Sequence, residues 1–361
     1  MSNSPALVEE NSARINDRAL AGKQAFRLSY SAVIMCALAL TFAAYAGTLG
    51  YDFVYDDKSQ IVQNPNITSW RFVPLYFTEH VWSHLQVKLM GNYYRPIFLL
   101  WLLINNTIFG LNAAWWHLAT VVTHLGATFM VFRLSLRLSK DTFIAAVATL
   151  IFGLHPAHIE GVAWVSGVTE PLLALLLVPS FIFYLNWREA RARARLSLIT
   201  SIALYSLATF AKETALVLPG IILVYEWAHR SAQSSFDPTI KRLMQSFTRV
   251  TPYLAITIVY LAARAVALKG LGHAQSTLDL STLVMTWPAV LWFYVKQLFW
   301  PANLSVFYDL PYVTSPGLAN FALPVAGLVA FSSLLWLLWR RLEQDNRRSI
   351  IIALAWLILP I

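Results

Sequence analysis

The sequence predicts an all-α protein that crosses a membrane about nine times and carries shorter helices at the membrane surface. Hydrophobic residues make up 58% of the 361 residues and charged residues only 12%, against about 25% charged residues in ordinary soluble domains. The apolar residues form stretches that approach or exceed the roughly 20 residues needed to cross a bilayer. The single cysteine, Cys36, excludes an intrachain disulfide and a thiolate metal cluster.

The first apolar stretch, residues 30–51, predicts a retained membrane anchor behind a cytoplasmic tail of residues 1–29. It is longer than the core of a signal peptide. Segments rich in Lys and Arg stay in the cytoplasm, and the tail contains Arg14, Arg18, Lys23 and Arg27. The chain is therefore expected to leave the membrane on its external side near Asp52.

The later crossings follow from the positions of the basic clusters, because each cluster marks a cytoplasmic end. Residues 96–109 are short and contain Asn105 and Asn106, so a re-entrant or interfacial helix is expected there. Residues 282–300 contain Lys296 and are expected to lie along the external interface. The stretches predicted to cross are 114–136, 142–157, 169–187, 196–211, 214–227, 251–268, 317–339 and 350–361. The last is short, so we expect a truncated helix and a further domain beyond residue 361.

The net charge of +9 is interpreted as a signal of membrane orientation. Most of the excess bases fall in segments predicted to be cytoplasmic, as the positive-inside rule requires. The bases are scattered in short loops next to apolar stretches, and they do not form a basic patch interleaved with exposed aromatic residues. A nucleic-acid partner is therefore not expected, whereas the lipid bilayer is.

An acidic pair, Asp56 and Asp57, lies directly after the first predicted crossing. Ionisable residues beside lipid are costly and are candidate functional groups. Successive side chains point in different directions, so one carboxylate can face a substrate while its neighbour holds a base, a metal or the backbone. A solvated turn with a helix-capping aspartate is the alternative interpretation.

A second external tip contains His155 and His158, three residues apart, followed by Glu160. Imidazole and carboxylate ligands suit Mn or Zn, but the spacing is not that of an HExxH helix. Histidines that hydrogen-bond the backbone at a broken helix end are the alternative. Glu170 opens the next helix, where a carboxylate is favoured by the helix dipole.

Three bases, Arg95, Lys212 and Arg264, lie at a similar predicted depth on the same side. Together they would suit the phosphate of a lipid carrier, with Arg as a bidentate donor and Lys as a point charge. The alternatives for each are contact with lipid headgroups or an ion pair, for example between Lys212 and Glu213.

Six stretches, taken in order, resemble the membrane part of the TMTC proteins (transmembrane and tetratricopeptide repeat containing), which are O-mannosyltransferases of the GT-C glycosyltransferase superfamily. They are distributed from residue 53 to residue 311. The stretches are FVYDDKSQIVQNPNI (53–67), NYYRPIFLLWLLINNTIFG (92–110), WHLATVVTHL (116–125), LHPAHIEGVAWVSG (154–167), AKETALVLP (211–219) and FWPANLSVFYDLP (299–311).

The resemblance implies a GT-C-like bundle over residues 30–361 that acts as an inverting membrane glycosyltransferase. Such an enzyme moves a mannose-like hexose from a polyprenyl-phosphate carrier to a hydroxyl of a protein or glycan on the exoplasmic or periplasmic side. Asp56 or Asp57 would supply the catalytic carboxylate, and Asp56 is preferred. The residues assigned to the donor and its phosphate are Arg95, Lys212, Arg264, Glu213 and Tyr94. Use of a divalent cation, Mn or Mg, differs among relatives, and a tetratricopeptide array is expected after the membrane domain.

One departure concerns the turn after the His-Pro tip, which reads Gly167-Val-Thr-Glu170 here and tends to read Gly-Arg-x-Asp in the family. Because this Arg is missing, the family's sugar specificity and any phosphate-binding role of that turn do not carry over to this sequence. A lipid flippase or transporter is the alternative function, although the predicted crossings contain few of the mid-bilayer charges typical of transporters. A catalytically inactive scaffold is a third interpretation. A bacterial inner membrane is expected in preference to the endoplasmic reticulum.

Overall fold

The computed structural model describes residues 30–360 except 86–91, 190–192, 230–238, 271–277, 303, 306 and 307. All regular elements in these residues are helical, so the predicted all-α class is confirmed. The predicted tail 1–29 lies outside the described residues. Eleven helices of ten or more residues, labelled α1 to α11, are Tyr30–Tyr45, Pro96–Phe109, Ala113–Ser139, Thr142–Leu154, Thr169–Arg188, Ala194–Ala211, Leu218–Ala228, Thr239–Ala267, Leu280–Phe299, Leu323–Arg341 and Gln344–Ile358.

In the described part of the chain, six helical segments are long and apolar enough to cross a membrane. A seventh is obtained if Thr142–Leu154 and Pro156–Ala163, which are bent by 46°, form one broken span. The other six are Tyr30–Gly50, Ala113–Ser139, Val165–Arg188, Ala194–Ala211, Met244–Ala267 and Leu318–Arg341. The polytopic membrane fold is confirmed, with six or seven candidate spans against about nine predicted.

The difference in number arises at two predicted crossings. Residues 214–227 begin in the 3₁₀ turn Glu213–Val217 and continue as α7, which has 11 residues. α11 has 15 residues. At 1.5 Å per residue, neither helix alone reaches across a hydrocarbon core of about 30 Å. The short segment 96–109 is a 14-residue apolar helix, as predicted.

The largest hydrophobic cluster joins α5, α6, α7 and α8, with further residues from α3 and α11. At its centre α5 and α6 approach closely through Ser180 and Ser201, whose hydroxyls each donate to the other's carbonyl at 2.7 Å. Small polar residues allow such close helix packing where neighbouring lipid is as apolar as the helices. The loops at both ends of the protein extend from this packed bundle.

A second cluster lies beneath residues 51–85 and packs this long loop against α2 and the start of α3. Phe53, Ile61 and Ile67 are buried in it, and the ring of Phe53 meets Trp116 edge to face at 6.0 Å. Tyr76 donates its hydroxyl to the carbonyl of Asn66 at 2.6 Å. The loop that contains the acidic pair is therefore a packed part of the fold.

Candidate functional site

The acidic pair lies in a tight turn closed by the second aspartate. The backbone N–H of Asp57 donates to the carbonyl of Val54 at 2.9 Å, and the N–H of Val54 donates to Asp57 Oδ2 at 3.2 Å. Between them, Tyr55 has a φ of +45°, a conformation that a bulky residue rarely adopts. The turn is thus held in a strained shape by Asp57 itself.

Asp57 is fully buried and fastens this turn to the 3₁₀ turn Val165–Val168. Its Oδ1 accepts from the backbone N–H of Ser166 at 2.8 Å and from the Ser166 hydroxyl at 2.6 Å. Burial raises the pKa of Asp57. The hydrogen bonds that Asp57 accepts, and the electrostatic effect of the nearby His117, each lower the pKa but do not cancel the effect of burial. Of the alternatives open from the sequence, Asp57 is the carboxylate that holds the backbone.

Asp56 is in a different state. It is half-buried and forms no hydrogen bond or ion pair with any described residue. Burial raises its pKa, and the charge of Asp57 raises it further. A carboxylate with a raised pKa and open oxygen atoms can accept a proton from a bound hydroxyl, which is the role of a general base.

The predicted histidine tip forms the bend between α4 and the helical turns that follow. The His155 ring bonds to the backbone at both nitrogens. Nδ1 accepts from the N–H of Ala157 at 3.2 Å, and Nε2 donates to the carbonyl of Leu298 at 2.9 Å. The ring of His158 packs on Phe152 at 4.7 Å. No group of three or more His, Cys, Asp or Glu side chains in the described ranges is arranged to hold a metal ion. His155 thus has the backbone-bonding geometry that was the alternative to metal ligation.

The segment from Glu160 to Glu170 folds back on itself at two glycines. A Cβ atom at Gly167 would lie 2.4 Å from the carbonyl oxygen of Glu160, and one at Gly161 would lie 3.2 Å from Cβ of Glu170. This close approach places Ser166 where it meets Asp57.

Replacing Gly167 by alanine is expected to destabilise the protein by about 1–3 kcal/mol, because the new methyl group must displace backbone and not a flexible side chain. Gly47→Ala is the matched control, since a Cβ there meets nothing within 4 Å. Thermal unfolding in detergent measures both variants. Equal unfolding midpoints for Gly167→Ala and Gly47→Ala would contradict a close approach of Gly167 to the Glu160 backbone.

Two of the three predicted bases form ion pairs with carboxylates. Lys212 pairs with Glu170, and Arg95 pairs with Glu213 through Nε at 3.0 Å and Nη2 at 2.6 Å. Of the alternatives open from the sequence, an ion pair is found, but Lys212 forms it with Glu170 and not with Glu213. The extended backbone of Lys212 points its side chain and that of Glu213 in different directions. Burial acts to raise the pKa of Glu213, but Arg95 outweighs it and lowers the pKa.

The third base and the predicted tyrosine lie next to Arg95. Arg264 donates from Nη2 to the carbonyl of Asn92 at 2.8 Å. Tyr94 is fully buried, its ring lies 5.9 Å from that of Tyr260, and its hydroxyl donates to the carbonyl of Phe77 at 2.9 Å. Tyr94 therefore packs the segment that positions Arg95.

The structure brings these residues to one end of the bundle through a continuous series of contacts. The turn of Asp56 and Asp57 is bonded to Ser166, the helix that follows begins near Glu170, and Glu170 reaches Lys212. The adjacent Glu213 reaches Arg95. Among the described residues, this end holds Asp56, a carboxylate without a hydrogen-bond or ion-pair partner, and the bases Lys212 and Arg95 in the same series of contacts. Such a set of groups suits proton removal and the binding of a phosphate group.

Sequence reasoning did not identify Ser166 or His117 as parts of this site. Ser166 gives no local signal, since its partner is 109 positions away. His117 is fully buried near the start of α3, and its ring lies edge to face with Tyr51 at 6.2 Å. An imidazole inside an apolar stretch is a costly group that could have been singled out.

Comparison with known proteins finds similarity to several animal proteins over about half of this chain, three of which serve as examples. The protein O-mannosyl-transferase F38B6.6 of Caenorhabditis elegans is 29% identical over 210 residues, which are 56% of this chain and 29% of that protein. Protein O-mannosyl-transferase Tmtc2 of Drosophila melanogaster is 30% identical over 195 residues, 52% of this chain and 21% of that protein. Protein O-mannosyl-transferase TMTC2 of Mus musculus is 33% identical over 158 residues, 42% and 18% respectively.

These similarities confirm the resemblance predicted from the six stretches. Each alignment spans less than a third of the relative's own length. No family model matches the chain, and no solved structure matches it. The relatives are animal proteins, so they do not support the expectation of a bacterial inner membrane.

Proposed function

We propose that this chain forms the membrane part of a protein O-mannosyltransferase and moves a mannose-like hexose from a polyprenyl-phosphate carrier to a hydroxyl of a protein acceptor. The observation that carries the proposal is the state of Asp56, a half-buried carboxylate with a raised pKa and no partner among the described residues. The similarity to proteins named protein O-mannosyl-transferases supports the reaction class.

In the proposed reaction Asp56 removes the proton of the acceptor hydroxyl while that oxygen attacks the anomeric carbon. The bond between the anomeric carbon and the phosphate oxygen breaks, and the electron pair leaves with the lipid phosphate. The phosphate is already a good leaving group, so no residue has to protonate it. A single displacement from the opposite face inverts the anomeric centre. Asp57 acts as a positioning residue that keeps the turn of Asp56 in place.

Lys212 is the base best placed to bind the donor phosphate. Its side chain is 14% exposed, whereas that of its partner Glu170 is 55% exposed and can turn toward water when a phosphate arrives. Arg95 is held by both oxygens of Glu213, in the geometry of a fixed structural pair. Arg264 lies on the same side and adds positive charge where negative charge develops.

The proposed location of this site is the exoplasmic or lumenal side. Arg137, Arg188 and Arg249 lie at the other end of the bundle, where they bond to Glu189 and Glu226. Arg340 and Arg341 end α10. An end rich in arginine is expected to face the cytoplasm, which supports placing Asp56 on the opposite side.

The test is sugar transfer by the purified chain in proteoliposomes. Polyprenyl-phosphate mannose and a nucleotide-linked mannose are offered as alternative donors to a peptide rich in Ser and Thr. We expect transfer from the lipid-linked donor alone, with inversion of the anomeric centre in the product. Lipid flux without transfer would favour the transporter alternative, and a retained configuration would exclude the single displacement.

A further inference from the structure

An aromatic pair, Tyr55 and Trp164, borders the turn that contains Asp56. The ring centroids are 6.3 Å apart and the ring planes meet at 70°, an edge-to-face arrangement. The side of Tyr55 not covered by Trp164 is open, and the residue is 63% exposed. Phe53, two residues earlier, is buried in the cluster beneath the loop.

The backbone holds Tyr55 in this position at a cost. Its φ of +45° is unfavourable for a side chain of this size. Such strain persists where the surrounding structure enforces it, and here the two hydrogen bonds between Val54 and Asp57 enclose the residue. The fold therefore fixes an exposed aromatic ring immediately before Asp56.

Trp164 contributes a hydrogen-bond donor that has no acceptor. Its Nε1 atom is buried and has no hydrogen-bond partner among the described residues. The indole N–H of a buried tryptophan usually finds an acceptor, and leaving it without one is unfavourable. Such an N–H can donate to an oxygen atom of a ligand once the groups that cover it move aside.

Both aromatic residues are connected to the turn that contains Asp56 and Asp57. Tyr55 is the residue before Asp56, and Ser166, two residues after Trp164, donates both of its hydrogen bonds to Asp57. A group bound on these rings is therefore next to the carboxylate that carries the proposed function. That group is the sugar whose anomeric carbon reacts.

We propose that Tyr55 and Trp164 bind the pyranose ring of the hexose carried by the donor. The C–H face of the sugar lies on the exposed ring of Tyr55, through weak contacts to its π face, and Trp164 Nε1 donates to a sugar hydroxyl. The inference rests on the proposed function, since it names the part of the same site that recognises the sugar. The two residues bind and position the donor and take no part in proton transfer.

The experiment compares binding of polyprenyl-phosphate mannose with binding of the bare polyprenyl phosphate to the purified chain in detergent. The variants are Trp164→Phe, which keeps a ring and removes the N–H, and Tyr55→Asn, which removes the ring and tolerates the positive φ. Trp115→Phe is the control, because the exposed ring of Trp115 stacks on Phe109 at 5.8 Å, away from the acidic turn.

We expect the wild type to bind the mannose-bearing carrier about 10-fold more tightly than the bare carrier. Trp164→Phe should reduce that preference by about 5-fold, the size of one lost hydrogen bond, and Tyr55→Asn should remove it. Affinity for the bare carrier should stay the same in both variants. Trp115→Phe should behave as the wild type.

Equal binding of the two carriers by the wild type would overturn the inference, and so would a preference that survives both substitutions. Because binding is measured without turnover, these results are independent of whether sugar is transferred. A protein that binds the mannose-bearing carrier through Trp164 and transfers no sugar would contradict the proposed function and leave the sugar site standing.

Discussion

Replacing Asp56 by asparagine is expected to slow sugar transfer by about 100- to 10,000-fold, the usual contribution of a general base. Asparagine has nearly the same shape but cannot take the proton of the acceptor hydroxyl. Asp56 forms no hydrogen bond or ion pair with a described residue, so the substitution removes no such interaction from the fold. The measurement is the transfer rate at saturating donor and acceptor, together with the thermal unfolding midpoint. The midpoint should stay the same or rise, because the substitution removes a half-buried charge next to Asp57.

The same substitution at two neighbouring aspartates, Asp52 and Asp57, serves as a control. These variants show whether the slower transfer comes from loss of the general base or from loss of any negative charge in this region. Asp52 accepts the N–H of Phe53 at 2.8 Å, and Asp52→Asn should keep that bond and change the rate by less than about 3-fold. Asp57→Asn should lower the unfolding midpoint as well as the rate, because an amide cannot accept all three hydrogen bonds in the same way. A wild-type rate in Asp56→Asn would exclude Asp56 as the base.

The same residue predicts the pH dependence of the reaction. A general base must be ionised, so transfer should decline as the pH falls through the pKa of Asp56. Burial and the charge of Asp57 raise that pKa above the ordinary aspartate range, so the decline should begin at a higher pH than for an ordinary aspartate. The acid limb should disappear from the residual activity of Asp56→Asn. An acid limb that persists unchanged in that variant would assign it to another group.

Hydropathy along the sequence was sufficient to locate some helices and their ends. The short apolar stretch 96–109 forms a helix with the predicted bounds, and its ends carry a proline in the first turn and a glycine after the last, as is typical of helices. Gly110 indeed has a φ of +57°. The predicted crossing 214–227 failed at its start, where a 3₁₀ turn precedes the helix, since mean hydropathy does not distinguish a turn from a helix.

The side-chain partners in the candidate site could not be obtained in the same way. Asp57 meets Ser166 across 109 positions, Arg95 meets Glu213 across 118, and Lys212 meets Glu170 across 42. These pairings depend on how the helices pack and on one extended residue, Lys212, that directs neighbouring side chains apart. The residue types and the predicted membrane topology could place these charged residues on the same side of the membrane. They could not show which acidic residue pairs with which basic residue.

Glu226, at the other end of the bundle, also has side-chain partners that are distant in the sequence, and through them it joins three helices. Its side chain is 3% exposed and accepts from the Tyr184 hydroxyl at 2.6 Å and from Arg188 Nε at 2.8 Å, and it also pairs with Arg249. The sequence contained a signal for it, a lone carboxylate in an apolar stretch, which is costly unless paired. This cluster ties α7 to α5 and α8.

Replacing Glu226 by alanine is expected to destabilise the protein by about 3 kcal/mol, because it leaves two arginines and a buried tyrosine hydroxyl without their acceptor. The value is at the lower end for buried pairs, since Arg188 and Arg249 are partly exposed and water can reach them. Glu226→Gln should cost less, as the amide oxygen can still accept from Tyr184. The free energy of unfolding in detergent is the quantity to measure.

Glu189→Ala is the matched control for this prediction. Glu189 also pairs with an arginine, Arg137, at 2.9 Å, but its side chain is 42% exposed, and exposed pairs contribute about 0–1 kcal/mol. If burial determines the effect, Glu226→Ala should therefore exceed Glu189→Ala by about 2 kcal/mol or more. Equal losses in the two variants would mean that the cluster contributes no more than a surface pair, and that apolar packing alone holds α7 against its neighbours.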